Sequence, residues 1–177
     1  MDFQPDILHG RPGAEEVLAA AGSALALARK ADLQVFFVRV AFTPQDYASV
    51  SPRNKSFAGL RDGGRLPDGA PGSAVHPDLA PADGDVVVTK TRVGAFSTTN
   101  LHTHLASRGI DTLVLGGVST SGVVLSTVRD AADRDHRLLV LEDCCLDEPD
   151  IHALLVGRIF PRQADILTVP RLADLVA

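Results

Sequence analysis

The sequence predicts an α/β fold, a doubly wound and mainly parallel sheet with helices on both faces. Five short runs carry this expectation: Leu33 to Val40, Asp85 to Lys90, Thr112 to Gly117, Arg137 to Glu142 and Asp165 to Val169. They are apolar through most of their length rather than alternating, as parallel strands covered on both faces are. Helical stretches fall between them, at Gly13 to Ala31, Thr99 to Ser107, Ser121 to Arg134, Asp150 to Ile159 and Arg171 to Val176. Such alternation of strand and helix places a ligand site beyond the carboxyl ends of the strands. The length of 177 residues and an apolar share of 45% suffice for one compact domain, spanning residues 1–177.

Taken in order, the elements open with an anomaly. MDFQPDILHG contains no strand, although the Ala- and Leu-rich helix that follows needs one to pack on, so the first strand reads as truncated. The natural reading frame is therefore expected to begin upstream, with Met1 an internal methionine; on a frayed terminus Asp2 would be a poor catalytic group. After the run ending at Val40 comes an excursion, Ala41 to Gly84, rich in Pro, Gly, Ser and Asp. A loop of that length is either functional, as a lid or subunit contact, or a disordered insertion.

Composition narrows the function classes. Lys and Arg number 17 against 22 Asp and Glu, a net charge of −5 with no basic run, which argues against a nucleic-acid partner. No window approaches the roughly 18 consecutive apolar residues of a membrane helix. Cys144 and Cys145 are adjacent and unsuited to bridging one another, which together with a terminus lacking the regions of a signal peptide places the protein in the cytoplasm. Neither a metal nor another cofactor is expected: His102 and His104 are two apart on a helix and point to different faces.

The candidate chemistry lies at LVLGGVSTSGVVLSTVRDAA, Leu113 to Ala132, where an apolar strand breaks at Gly116 and Gly117 and Ser119, Thr120 and Ser121 precede a helix. A Ser or Thr here caps helix amides, and the same amides can hold an anion or a developing oxyanion. A serine nucleophile is a further alternative, since Gly117-Val118-Ser119-Thr120-Ser121 nearly matches G-x-S-x-G, with its second glycine displaced to Gly122 and no identifiable His partner. If MDFQ and DVVVTK both end strands, Asp2 and Lys90 face one pocket, the Asp moving a proton and the Lys tuning its charge.

These segments resemble the isochorismatase-like, or cysteine hydrolase, superfamily. The residues concerned are MDFQ at Met1 to Gln4, VVVTKTRVGAF at Val86 to Phe96, GGVSTSGVVLSTVRDAADR at Gly116 to Arg134 and LEDCC at Leu141 to Cys145. The resemblance implies a Rossmann-like sheet, a homo-oligomer and a small-molecule substrate. It also implies an Asp, Lys and Cys triad whose first two members fall on Asp2 and Lys90, and a cis peptide at Val118–Ser119. The nucleophile position falls on Val123, so this chain is expected to lack the cysteine and to act as a hydrolase by non-covalent acid catalysis, as isochorismatases proper do. Phe3, Gln4, Phe96, Val118, Ser119 and Thr120 are then expected to bind substrate. The competing expectation is a catalytically silent binding protein of the same fold. Cys144 and Cys145 read as small buried thiols.

Overall fold

The computed structural model describes residues 1–176. The chain runs through α1 (Pro5–Leu8), α2 (Ala14–Lys30), β1 (Phe36–Val40), α3 (Pro44–Ser49), α4 (Lys55–Asp62), β2 (Val86–Lys90), α5 (Leu101–Ala106) and β3 (Thr112–Val118). A π-helical turn at Thr120–Val124 leads into α6 (Leu125–Ala132), followed by β4 (Arg137–Leu146), α7 (Pro149–Leu154), a second π turn, β5 (Asp165–Leu167) and α8 (Val169–Val176). All strand pairings are parallel: β1 with β2, and β3, β4 and β5 in that order. The expected α/β class with a parallel sheet is observed.

Period-2 alternation splits the core between the two faces of the sheet. On one face Val38, Val88, Leu113, Leu115, Leu138 and Val140 pack against Val124, Val128 and Ala131 from the α6 side. On the other, Phe37, Val118, Leu141 and Cys144 meet Val17 and Ala21 of α2 and Leu172 of α8. α2 reaches this position as a 17-residue run of strong helix formers with Glu15 and Glu16 in its first turn and Arg29 and Lys30 in its last, a charge order that complements the helix dipole.

The two ladders are joined by residues 1 and 2. Asp2 N donates to Val38 O of β1 at 2.8 Å, Val118 N of β3 donates to Met1 O at 3.1 Å, and Met1 N donates to Gly116 O at 2.9 Å. MDFQ forms no regular strand, in keeping with the expectation, yet two of its residues supply the strand-like bonds that bring β1 and β3 to one edge. The close approach explains two glycines. A Cβ on Gly117 would lie 2.8 Å from Met1 O and 3.2 Å from a Val123 methyl, and one on Gly116 would lie 2.8 Å from Cys144 Cβ. Gly116 sits where the β3–β4 register shifts, Leu115 pairing with Val140 but Gly117 with Cys145.

The excursion is folded. α3 opens with a capping box between Thr43 and Asp46, and α4 is capped by Asn54. Val40, Phe42, Val50, Phe57 and Leu66 form a third apolar cluster, with Phe42 stacked on Tyr47 at 5.1 Å between ring centroids. The segment is tied back to the chain start by His76 N, which donates to Phe3 O at 2.8 Å. Among the described residues no helix is long and apolar enough to cross a membrane.

Gly117→Ala is expected to cost about 1–3 kcal/mol, the usual penalty of an overpacked contact, because backbone at Met1 must shift. Urea denaturation checks this; a midpoint equal to that of the wild type would show that residues 1 and 2 move aside freely.

Candidate active site

β2 ends on Lys90, which is 1% exposed, and the bridging residue Asp2 is 5% exposed. Lys90 Nζ donates to Asp2 Oδ2 at 2.8 Å and to Arg92 O at 3.1 Å. Asp2 adopts φ 59°, in the left-handed region that few residues other than glycine tolerate and Asp tolerates best with Asn. Its second carboxylate oxygen, Oδ1, is buried without a hydrogen-bond partner. A buried oxygen left open is costly and marks a position where a ligand or a proton is accommodated. Desolvation raises the Asp2 carboxyl above the ordinary carboxylate range, and the attraction and hydrogen bond of Lys90 only partly offset it.

Beside this pair lies the turn after β3. The Val118–Ser119 peptide is cis. Ser119 Oγ accepts from Gly122 N at 3.1 Å, and Val124 N donates to Ser119 O at 3.2 Å, a bond that opens the π turn. Ser121 N donates to Asp147 Oδ2 at 2.7 Å. Burial works to raise the Asp147 carboxyl, but hydrogen bonds from Ser121 and from Glu148 N outweigh it and hold the group below the usual range. Fully buried Thr120 places Oγ1 2.9 Å from His152 Nδ1 of α7. Val123 is 2% exposed and belongs to the core layer under α6.

The structure thus brings together Asp2, Lys90 and the turn from Val118 to Val123. It places the other expected site residues differently. Phe3 packs with Val17, Phe37 and Leu172 on the α2 face, opposite to Val123. Gln4 is fully buried and its amide completes backbone bonding: Val40 N donates to Oε1 at 2.7 Å, and Nε2 donates to Val40 O and to Ser73 O, both at 2.8 Å. Phe96 stacks on His136 and carries Arg134 5.0 Å over its ring, at the amino end of β4. Both cysteines are buried with their thiols pushed up by desolvation, Cys145 to about 12 and Cys144 further. Neither is poised as a thiolate at neutral pH. Among the described residues no three His, Cys, Asp or Glu side chains are grouped to hold a metal ion. Asp147 and His152 escaped the sequence reading; their only signal is their position just after a strand that ends beside the turn.

The chain as a whole is similar to known proteins. A family model described as the isochorismatase domain matches residues 1–171. The chain belongs to the isochorismatase family. It is 33% identical over 187 aligned positions to an uncharacterised isochorismatase family protein, YecD, of Escherichia coli O157:H7, covering 98% of this chain and 92% of that protein. It is 30% identical over 158 positions to the maleamate amidohydrolase of Pseudomonas putida, covering 89% and 73%. The crystal structure of a cysteine hydrolase from Pseudomonas syringae superposes with a TM-score of 0.86 at 21% identity, covering 99% of this chain and 89% of that one, which supports the fold.

Two outcomes are expected of the site's supporting residues. Gln4→Leu strands the Val40 and Ser73 backbone groups and is expected to destabilise the fold by at least about 2 kcal/mol, read by urea denaturation. For Asp2 the sign is set by its raised folded-state value. Between the ordinary carboxylate range and that value the folded chain keeps a proton that the unfolded chain releases, so stability falls as pH rises through the window. A denaturation series over weakly acidic pH should show this slope in the wild type and lose it in Asp2→Asn; equal slopes would place the Asp2 carboxyl in its ordinary range.

Proposed function

We propose that the protein is an isochorismatase-family hydrolase that cleaves a small organic acid by proton delivery from Asp2, without a covalent enzyme intermediate. The observation that carries this reading is the unpartnered, buried Oδ1 of Asp2, on a carboxyl whose affinity for a proton is raised by desolvation. Lys90 holds the other oxygen, so the reactive one is fixed in direction. Val123 occupies the position where the resemblance puts a cysteine, and the thiols of the only two cysteines are buried and protonated at neutral pH. An acid step requires no nucleophile from the protein.

For a vinyl ether such as isochorismate the step balances as follows. The Asp2 carboxyl gives its proton to the terminal methylene carbon, and the ether carbon becomes an oxocarbenium ion. Water adds to that carbon and returns a proton to the Asp2 carboxylate. The hemiketal hydroxyl proton then passes to the ether oxygen as the C–O bond breaks, yielding an alcohol and a keto acid. Lys90 exchanges no proton in these steps, and its hydrogen bond to Oδ2 stabilises the carboxylate left after proton transfer. Amide groups of the turn at Ser119 and Thr120 lie beside this pair and suit an anionic group on the substrate.

The test is product formation, followed by mass spectrometry, from isochorismate and from a panel of small amides that includes maleamate. Conversion of isochorismate alone is expected, with a loss of about 10²–10⁴-fold in kcat for Asp2→Asn. Lys90→Met is preferred to alanine as its companion, because both remove the cation but Met fills the volume that alanine would leave as a cavity. Undiminished turnover in Asp2→Asn overturns the mechanism. Amide cleavage would direct attention to Ser119 and Ser121, and ligand binding without any conversion would favour a binding protein that retains the fold.

A further inference from the structure

We propose that the guanidinium of Arg92 is the carboxylate-recognition group of this site, selecting small acids over their neutral counterparts. The inference rests on the reading of Asp2 and Lys90 as the reactive pair, since Arg92 is placed by them. Its carbonyl oxygen accepts the second hydrogen bond of Lys90 Nζ at 3.1 Å, so the residue is fixed at the rim of the buried pair. The next residue, Val93, lies against the turn, with a methyl 3.9 Å from where a Cβ on Gly122 would stand. The loop carrying Arg92 therefore runs from the buried pair to the Ser119–Gly122 turn.

The charge of Arg92 is unmatched in a way that separates it from its fellows. Three arginines are half-buried among the described residues: Arg39, Arg61 and Arg92. Arg39 is paired with Asp68 at 2.7 Å and Arg61 with Asp62 at 2.8 Å. Arg92 has no carboxylate within ion-pair distance among the described residues; Nη1 donates to Thr91 O at 2.6 Å, and the group lies 5.8 Å from the Phe57 ring centroid. A partly desolvated cation without a counter-ion is unfavourable, and stacking on an aromatic face offsets only part of that cost. Four of the five guanidinium N–H groups remain free of the one bond recorded, enough for the bidentate clasp that a carboxylate offers. Phe57 holds the guanidinium plane from one side, and its own place is fixed by the cluster with Val40 and Phe42. A ligand carboxylate would complete the pairing that the chain provides for its other two half-buried arginines.

The alternative is that Arg92 only staples α4 to the loop, and binding calorimetry separates the two. The probes are maleamate and maleic diamide, which share a skeleton and differ by one carboxylate. The proteins are the wild type, Arg92→Gln, Arg92→Lys and, as a control for lost charge, Arg129→Gln, an exposed residue of α6 outside the site. The wild type and Arg129→Gln are expected to bind maleamate roughly 10–100-fold more tightly than the diamide, the range of a charged hydrogen-bonded pair. Arg92→Gln should erase that preference and Arg92→Lys restore part of it. Wild-type affinities that are equal, or a Gln variant that keeps the preference or weakens both probes alike, overturn the proposal. Because the readout is binding, failure of the acid mechanism is distinguishable: an Arg92-dependent preference without turnover of any compound overturns only the mechanism.

Discussion

The buried pair between Lys90 and Asp2 is the constraint on which the rest of the structure depends. Taking two opposite charges out of water costs several kcal/mol per ion, and such pairs contribute little to stability compared with apolar replacements. Here the pair stands at a junction. Asp2 belongs to the two residues that hydrogen-bond β1 on one side and β3 on the other, and Lys90 ends the strand next to β1. Backbone bonds of residues 1 and 2 join the sheet halves, and the side-chain contact ties that junction to the end of β2 and, through Arg92 O, to the loop after it. Asp2 has an open buried oxygen, as Asp143 does, and is set apart by the lysine on its other oxygen; burial shifts the Asp2 carboxyl upward.

The turn at Ser119 to Val123 illustrates how a helix start is partly consumed by its own chain. The first amides of a helix are unpaired donors with a partial positive charge. Asp147 takes the Ser121 amide and Ser119 takes that of Gly122, so part of this capacity is spent on positioning the turn. Thr120 is likewise committed to His152. The amides of Ser121 and Gly122 are thus taken by the chain itself, which leaves those of Ser119 and Thr120 as the donors of the turn that a ligand could use.

The strands were legible in the sequence because burial on both faces leaves a continuous apolar run, and all five were found near their expected places. β4 extends to Leu146 beyond the expected Glu142 because Gly116 allows Cys144 to close over β3, a register shift that no local pattern announces. α8 starts at Val169, two residues before the expected Arg171, since Val169 and Pro170 already adopt the first turn. The two helices of the excursion were hidden by their brevity and by the Pro, Gly and Ser around them, although Thr43-Pro44-Gln45-Asp46 carries a complete capping box. Within the site, Asp2, Lys90 and the turn were accessible through motif order. The contacts of Thr120 with His152 and of Ser121 with Asp147 span 32 and 26 residues and arise only from packing. Gln4 and Phe3 adjoin Asp2 in the chain, yet backbone bonding and the far core layer claim them, which adjacency in sequence could not reveal.

The separate apolar cluster of the excursion gives the protein a division of labour. The Asp2–Lys90 pair and the cis turn are carried by strand ends beside the main core, whereas Phe57, which backs the one half-buried arginine without a carboxylate partner among the described residues, belongs to a cluster of its own that meets the sheet through Val40. Evolution or an engineer could therefore exchange this module of about forty residues, and with it the aromatic backing of Arg92, while Asp2, Lys90 and the turn keep their supports in the main core.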